Sequence, residues 1–247
     1  MSTRETHHPD RPLGLKTAEN VRDLGGYSTR DGKTTQWRRF VRAGDMDALS
    51  RPDQVKLVDY GITTVIDLRM QKEIDASPNA FAGSQAVDFR IHDFWGTRFD
   101  TYRSSNKTAP AHQKLADLYC AGLEQSGFVM AQIMATFAED KRTGFAFHCR
   151  SGKDRTGLVA AMLLSIADVP HDTICRDFAL TREHLHSQAI NPIDEGKPGA
   201  WQRGCEPETM DITLNFIARQ FGDVPGYLEA QGVSSDDLRT IRRKLVD

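Results

Sequence analysis

His148-Cys149-Arg150-Ser151-Gly152-Lys153-Asp154-Arg155-Thr156-Gly157 places a thiol near its start and a guanidinium six positions later. Ahead of it runs apolar Phe145-Ala146-Phe147, which predicts a buried strand. Behind it runs Leu158-Val159-Ala160-Ala161-Met162-Leu163-Leu164, which predicts a buried helix. The stretch therefore reads as a strand-to-helix turn. The helix directs its positive dipole end and unpaired N–H groups at the loop. Gly152 and Gly157 let the backbone curl until successive N–H groups converge on one anion.

A thiol attacks as thiolate, and at a helix N-terminus or beside a cation its pKa can fall from about 8.5 to roughly 3.5–7.5. Lys153 and Arg155 add positive charge here, and the planar Arg155 fork can grip two phosphate oxygens at once. Arg150, Ser151, Gly152, Lys153, Asp154 and Arg155 then form a phosphate cradle around Cys149. Thr156 offers a hydroxyl to the Cys149 thiolate, and His148 can orient the loop through its ring. The chemistry this implies is in-line attack of Cys149 on a phosphate monoester, giving a cysteinyl-phosphate that water hydrolyses.

The other cysteines serve as internal controls. Six residues after Cys120, Cys175 and Cys205 stand Ser126, Thr181 and Asp211, so Cys149 alone has the spacing. The bland alternative is a small buried cysteine in a turn with a solvated basic loop. The strand–loop–helix context that such a motif requires argues against it.

At these residues the chain resembles the cysteine-dependent protein tyrosine phosphatase superfamily. More narrowly, it is similar to the bacterial tyrosine phosphatase family whose loop reads His-Cys-x-x-Gly-Lys-Asp-Arg-Thr-Gly. The likeness extends to Asn20-Val21-Arg22-Asp23-Leu24-Gly25-Gly26-Tyr27, Phe40-Val41-Arg42-Ala43-Gly44, Val65-Ile66-Asp67-Leu68-Arg69 and Phe221-Gly222-Asp223-Val224-Pro225-Gly226-Tyr227-Leu228. It implies a metal-independent phosphatase without cofactor, with Cys149 as nucleophile and Arg155 holding the phosphoryl group. The first-choice substrate is phosphotyrosine in proteins. Dual specificity and phosphoinositides stay open, the latter because a lysine beside the arginine is also seen in lipid phosphatases.

The general acid has two candidates. A carboxylic acid near the scissile bond protonates the leaving oxygen, and many relatives place it on a separate mobile loop. Asp93, directly after an expected strand, fits that position. Asp154 lies within the loop itself, where the resemblance implicates an aspartate in catalysis, although its charged neighbours Lys153 and Arg155 argue against it. Asp67 and Arg69 end a strand at the same sheet edge, where they buttress the loop, touch substrate or form a structural salt bridge. Trp95, Phe99 and Tyr102 form an aromatic wall or ordinary packing. His184 and His186 are too close on a helix for one metal face, and no carboxylate–histidine set shows metal spacing, so no metal is expected.

At 247 residues the chain is long enough for one well-buried domain. The expected division is a flexible tail over 1–12 and a catalytic domain over 13–247. A net charge of −2 gives no support for nucleic-acid binding. No apolar run reaches the roughly 20 residues needed to span a bilayer. Four cysteines make no disulfide framework, and a required thiolate favours a reducing compartment. With no secretory leader visible, the cytoplasm is the expected location, unusual export aside.

Strands are expected at 63–68, 86–92 and 145–147, with a turn at Asp31-Gly32 between two short strands, and the resemblance implies a further strand over 40–44. Helices are expected at 53–60, with Ser50 as N-cap, Pro52 in the first turn and Gly61 at the end, and at 112–124, 127–140, 158–167, 172–185, 207–220 and 234–245. Alternating strands and helices predict an α/β domain with a mostly parallel central sheet covered on both faces. Its ligands sit beyond the carboxyl ends of the strands, where Cys149 falls. Two long segments, 97–109 and 191–206, have the length of lids. Two other classes accommodate a reactive cysteine in such a loop: a sulfurtransferase, and a phosphate-binding module without turnover.

Overall fold

A computed structural model describes residues 6–96, 108–139, 141–185 and 199–246. Five strands build one sheet in the order β1-β2-β5-β3-β4. They are β1 (Arg22–Asp23), β2 (Phe40–Ala43), β3 (Thr64–Asp67), β4 (Asp88–Ile91) and β5 (Phe145–His148). β1 lies antiparallel to β2, and every other pairing is parallel. The helices are α1 (Arg51–Tyr60), α2 (Gln71–Ala76), α3 (Ala111–Gln125), α4 (Gly127–Ala138), α5 (Asp154–Ile166), α6 (His171–Ala179), α7 (Thr181–His184), α8 (Pro207–Phe221), α9 (Val224–Ala230) and α10 (Ser235–Val246). The expected α/β architecture, a mostly parallel sheet flanked by helices, is the one found.

The strand period of two sorts side chains onto two cores. Phe40, Ile66, Phe145 and Phe147 enter the larger core with the apolar stripes of α3 to α6 and α8 to α10. Val41, Val65 and Ala146, one residue out of phase, enter a smaller core with Leu57 of α1, Leu13 and Phe81. β5 and α5 are buried nearly throughout, because β5 is central and α5 packs between the sheet and α6.

α1 follows its sequence signals. The Ser50 hydroxyl accepts from Asp53 N–H, Pro52 stands in the first turn, and Gly61 closes the helix at φ 109°. Other segments differ from expectation. The helix expected over 172–185 breaks at Leu180, where a three-residue hydrogen bond from Glu183 N–H to Leu180 O tightens the chain. The strands around Asp31-Gly32 reduce to a single bridge between Ser28 and Thr34.

Within residues 6–12, expected to be loose, Thr6 and Arg11 are buried and the others are exposed or half-buried. Arg11 is buried, donates to the carbonyls of Thr6 and Asp23, and lies 3.7 Å over the Tyr27 ring. Phe99, Tyr102, His186, and nearly all of 97–109 and 191–198 lie outside the described residues. Among the described residues no helix is long and apolar enough to cross a membrane.

Candidate active site

β5 ends at His148 and α5 begins at Asp154, so residues 149–153 turn the chain at the carboxyl edge of the sheet. Cys149 is 1% exposed. The loop carbonyls are held from outside. His148 O accepts from Leu68 N–H at 2.8 Å, and Arg150 O from Asp45 N–H at 2.9 Å. The Asn20 amide donates to Ser151 O and Gly152 O at 3.0 Å each, and Arg42 Nη2 donates to Gly152 O at 2.8 Å. Across a trans peptide the C=O and the next N–H point in opposite directions, and no peptide bond here is cis. Drawing back the carbonyls of residues 150–152 therefore turns the N–H groups of Ser151, Gly152 and Lys153 to the inner side of the loop. This is the geometry of an anion nest.

Gly152 is fixed by space as well as conformation. Its φ is +66°, and a Cβ there would stand 2.5 Å from Ala43 O. The loop thus presses directly on the end of β2.

Arg155 is 7% exposed. Its Nη1 and Nη2 donate to the two carboxylate oxygens of Glu73 at 2.5 and 3.1 Å, and Nη1 also reaches Leu68 O at 3.4 Å. Its Nε is buried and has no hydrogen-bond partner. Burial opposes its charge, but Cys149 and Glu73 outweigh that and raise its pKa further. Glu73 in turn is held below the usual carboxylate range: burial works against it, and Arg155 overcomes burial. The guanidinium is a fixed cation whose outer end is clamped by Glu73 and whose buried Nε has no hydrogen-bond partner.

Asp154, in the first turn of α5, accepts through Oδ1 from Tyr119 Oη and from Lys153 Nζ, both at 2.6 Å. Burial and the charge of Asp154 push the Tyr119 phenol well above its ordinary pKa, so it stays a donor. Lys153 is buried, and its ammonium also donates to the carbonyls of Gln202 and Gly204 at 3.0 Å. Its three donors are thereby directed at protein groups, which differs from the phosphate contact expected of it. Asp93 sits elsewhere. Its Oδ1 accepts from Gly96 N–H at 2.7 Å and its Oδ2 from Gln71 N–H at 3.4 Å, so it ties a turn to the start of α2.

The supporting residues sort similarly. His148 is buried, with Nδ1 at 3.1 Å from Cys149 O and Nε2 at 2.7 Å from the Asn79 amide nitrogen. Asp67 grips Arg69 through Nε and Nη2, and Arg69 Nη1 reaches Asp45 at 2.8 Å and Ser77 O at 2.9 Å. Burial would raise the Asp67 pKa, but His148 and Arg69 hold it well below the carboxylate range. Arg69 is fully enclosed, and with Asp67 it forms a buried salt bridge. Thr156 Oγ1 is buried without any hydrogen-bond partner, so the bond expected to Cys149 is not made.

A cavity of about 530 Å³ opens over the loop. Arg150, Ser151, Lys153, Asp154 and Arg155 form its polar floor and flank. Met70, Trp95, Leu115, Leu118 and Leu185 supply an apolar wall, and Arg203 stands with them. Asp93 is not among its lining residues. On the far end of α6, donor atoms of His171, Cys175 and Asp211 lie within 4.8 Å of one another, with His171 Nε2 bonded to Asp211 at 2.8 Å. Sequence spacing did not show this grouping, because Asp211 arrives from α8.

Several contributors were missed in the sequence. Glu73 and Tyr119 lie on other helices, and pairing partners separated by 82 and 35 positions carry no local signal. Asp177 was legible in principle: it falls on the buried stripe of α6 with Thr173, Ile174 and Phe178, a place where an acid needs a partner.

The chain is similar to known proteins over most of its length. The model of the tyrosine phosphatase family matches residues 13–247. A tyrosine-protein phosphatase of Nostoc commune is 27% identical over 218 residues, covering 83% of this chain and 74% of that protein. The triple specificity protein phosphatase PtpB of Mycobacterium tuberculosis is 24% identical over an alignment of 279 residues, covering 94% of this chain and 98% of its own length. A match across nearly the whole chain, with the loop's cysteine and arginine intact, sets sulfur transfer aside: the chain belongs to the tyrosine phosphatase family and is a phosphatase.

Proposed function

We propose that the protein hydrolyses phosphotyrosine in proteins, without metal or cofactor, through a cysteinyl-phosphate on Cys149. The observation that carries this reading is the loop itself. The ties on the Arg150, Ser151 and Gly152 carbonyls turn the N–H groups of Ser151, Gly152 and Lys153 to the inner side of the loop that begins at the buried Cys149, and Arg155 adds a buried Nε with no hydrogen-bond partner. The phosphoryl oxygens take those donors, with Arg150 at the rim. Cys149 Sγ attacks phosphorus opposite the ester oxygen, and the P–O bond to the leaving group breaks. Asp154 gives its proton to the departing oxygen; with Oδ1 committed to Tyr119 and Lys153, Oδ2 is the atom that carries it. Water then attacks phosphorus, Asp154 takes the proton back, and the thiolate leaves.

The apolar wall of Trp95, Leu115 and Leu118 suits a flat aromatic ester. Arg150 and Arg203 on the same cavity favour a second reading, in which a phosphoinositide's additional phosphates pair with them. Four unpaired cysteines support a reducing compartment such as the cytoplasm. Phosphate release would be measured, with a chelator present, from a phosphotyrosine peptide, a phosphoserine peptide and a soluble phosphoinositide. The phosphotyrosine peptide is expected to be turned over fastest. Preference for the inositide would establish the second reading, and no release from any of the three would sink both.

A further inference from the structure

Beneath the loop, on the side away from the cavity, lies a buried charge cluster that the reaction itself does not use. Asp177 of α6 is 1% exposed. Its carboxylate accepts from Arg22 Nε at 3.2 Å, Tyr27 Oη at 2.8 Å and Arg42 Nη1 at 2.5 Å. The backbone oxygen of Asp177 also takes Arg22 Nη2 at 2.8 Å. One carboxylate thus faces two fully buried guanidiniums, and the surplus cation is the one that touches the loop. With one arm on Asp177, Arg42 places the other, Nη2, on Gly152 O.

We propose that Arg42 is a positioning residue for phosphoryl transfer, acting through the Gly152–Lys153 peptide. The argument rests on the cysteinyl-phosphate reading above. Arg42 draws the Gly152 carbonyl back at its fully buried end, and peptide planarity then sets the direction of the Lys153 N–H on the other side. A charged donor on the carbonyl also polarises the peptide, which strengthens that N–H toward an anion. The second lone pair of Gly152 O is filled by the Asn20 amide, and Arg22 orients Asn20 by donating to its side-chain oxygen. Asp177 therefore sets both donors on the Gly152 carbonyl, directly for Arg42 and through Arg22 for Asn20. Gly152 approaches β2 so closely that the peptide has little other freedom. In the transition state the transferring phosphoryl group flattens, and its charge is spread over three equatorial oxygens that meet the converging loop N–H groups in a geometry the tetrahedral bound ester does not reach. Loss of Arg42 should then weaken transition-state binding more than ground-state binding.

The test compares wild type, Arg42→Gln and Arg42→Lys on p-nitrophenyl phosphate, with Cys149→Ser alongside. Orthovanadate serves as the transition-state mimic and inorganic phosphate as the ground-state anion. Circular dichroism would confirm that each variant is folded at the assay temperature. Arg42→Gln is expected to lower kcat by about 10- to 100-fold, the scale of losing one preorganised donor or part of one. KM should change far less, and orthovanadate inhibition should weaken in proportion to kcat while phosphate inhibition moves little. Arg42→Lys keeps the charge but cannot bridge Asp177 and Gly152 O, so it should follow the glutamine variant; if the glutamine variant does not fold, the lysine variant carries the test.

Wild-type orthovanadate affinity in either folded variant, or full activity of Arg42→Lys, would overturn the proposal. A merely structural role would lower the active fraction and leave both inhibition constants unchanged. If Cys149→Ser itself turns over substrate, the underlying reading fails. If it is inactive while Arg42 variants behave as wild type, this inference alone fails.

Discussion

At the scale of single residues, the proposed site combines a nucleophile legible in sequence with an acid and a clamp proposed from the fold. Cys149 and Arg155 could be singled out because Cys149 alone among the four cysteines has an arginine six positions on, within a strand-to-helix turn. The choice between Asp154 and Asp93 could not be made from sequence, since both follow elements that end at the same sheet edge. The fold separates them: Asp154 lines the cavity, while both oxygens of Asp93 face backbone N–H groups. Asp154→Asn is expected to lower kcat on a phosphotyrosine peptide by about 10²- to 10⁴-fold. On aryl phosphates with acidic phenols the loss should be much smaller, because such groups depart unassisted; equal losses on both would remove Asp154 from the acid's role. Glu73→Gln removes the charge that clamps Arg155. Steady-state kinetics should show kcat/KM reduced by about 10- to 100-fold, the scale of one charge-assisted hydrogen bond at ~1.5–3 kcal/mol.

Elements explain why the loop takes this shape. The helices and strands that show a strong hydrophobic period were legible, and so was the α1 start at Ser50. Their ends were less so, because packing sets them: α6 was expected to run on to 185, but the chain tightens at Leu180 so that Leu180 and Thr181 both face inward. The loop's tie to β2 is the element contact most sensitive to substitution. Gly152→Ala would carry a Cβ into Ala43 O while holding a left-handed backbone, which costs roughly 1–2 kcal/mol for the conformation alone. Activity should fall by more than the thermal midpoint suggests, because relief of the clash rotates the peptides that present N–H groups. An alanine variant with wild-type kcat and a lowered midpoint would contradict this link.

The molecule as a whole rests on two cores joined through a narrow sheet, and on buried ions behind its active edge. The mostly parallel direction of the sheet was legible from the alternation of strands and helices, whereas its strand order emerges only in the fold. The ion network was not, since Asp177 and its arginine partners are up to 155 positions apart. Burial would raise the Asp177 pKa, but Arg22, Arg42 and Arg11 hold it well below the carboxylate range, as His148 and Arg69 do for Asp67. Both folded values are depressed, so the stability they contribute is present above the unfolded value of about 3.9 and is lost as pH falls below it. Thermal unfolding followed from pH 7 to pH 3 should show no loss from these groups down to about pH 5 and a steep loss below about pH 4. Asp177→Asn should flatten that acid limb.

The C-terminal helix α10 closes the larger core with Ile241 and Leu245, and Arg242 and Lys244 cap the carbonyls of Ile166 and Phe137. Burying two such side chains stabilises by about 1.5–3 kcal/mol each, a large share of a typical ~5–15 kcal/mol total. Truncation before Ser235 should therefore abolish the cooperative melting transition, and a truncated chain that melts like the full one would contradict this role.

The central claim is that phosphorus passes through Cys149. The most direct measurement is mass spectrometry of enzyme denatured during turnover of a phosphotyrosine peptide, with Cys149→Ser as the parallel sample. The account predicts a phosphoryl group on the peptide containing Cys149 in the wild type, and neither that adduct nor phosphate release in the variant. Steady phosphate release by Cys149→Ser, or a phosphoryl group on another residue, would contradict it.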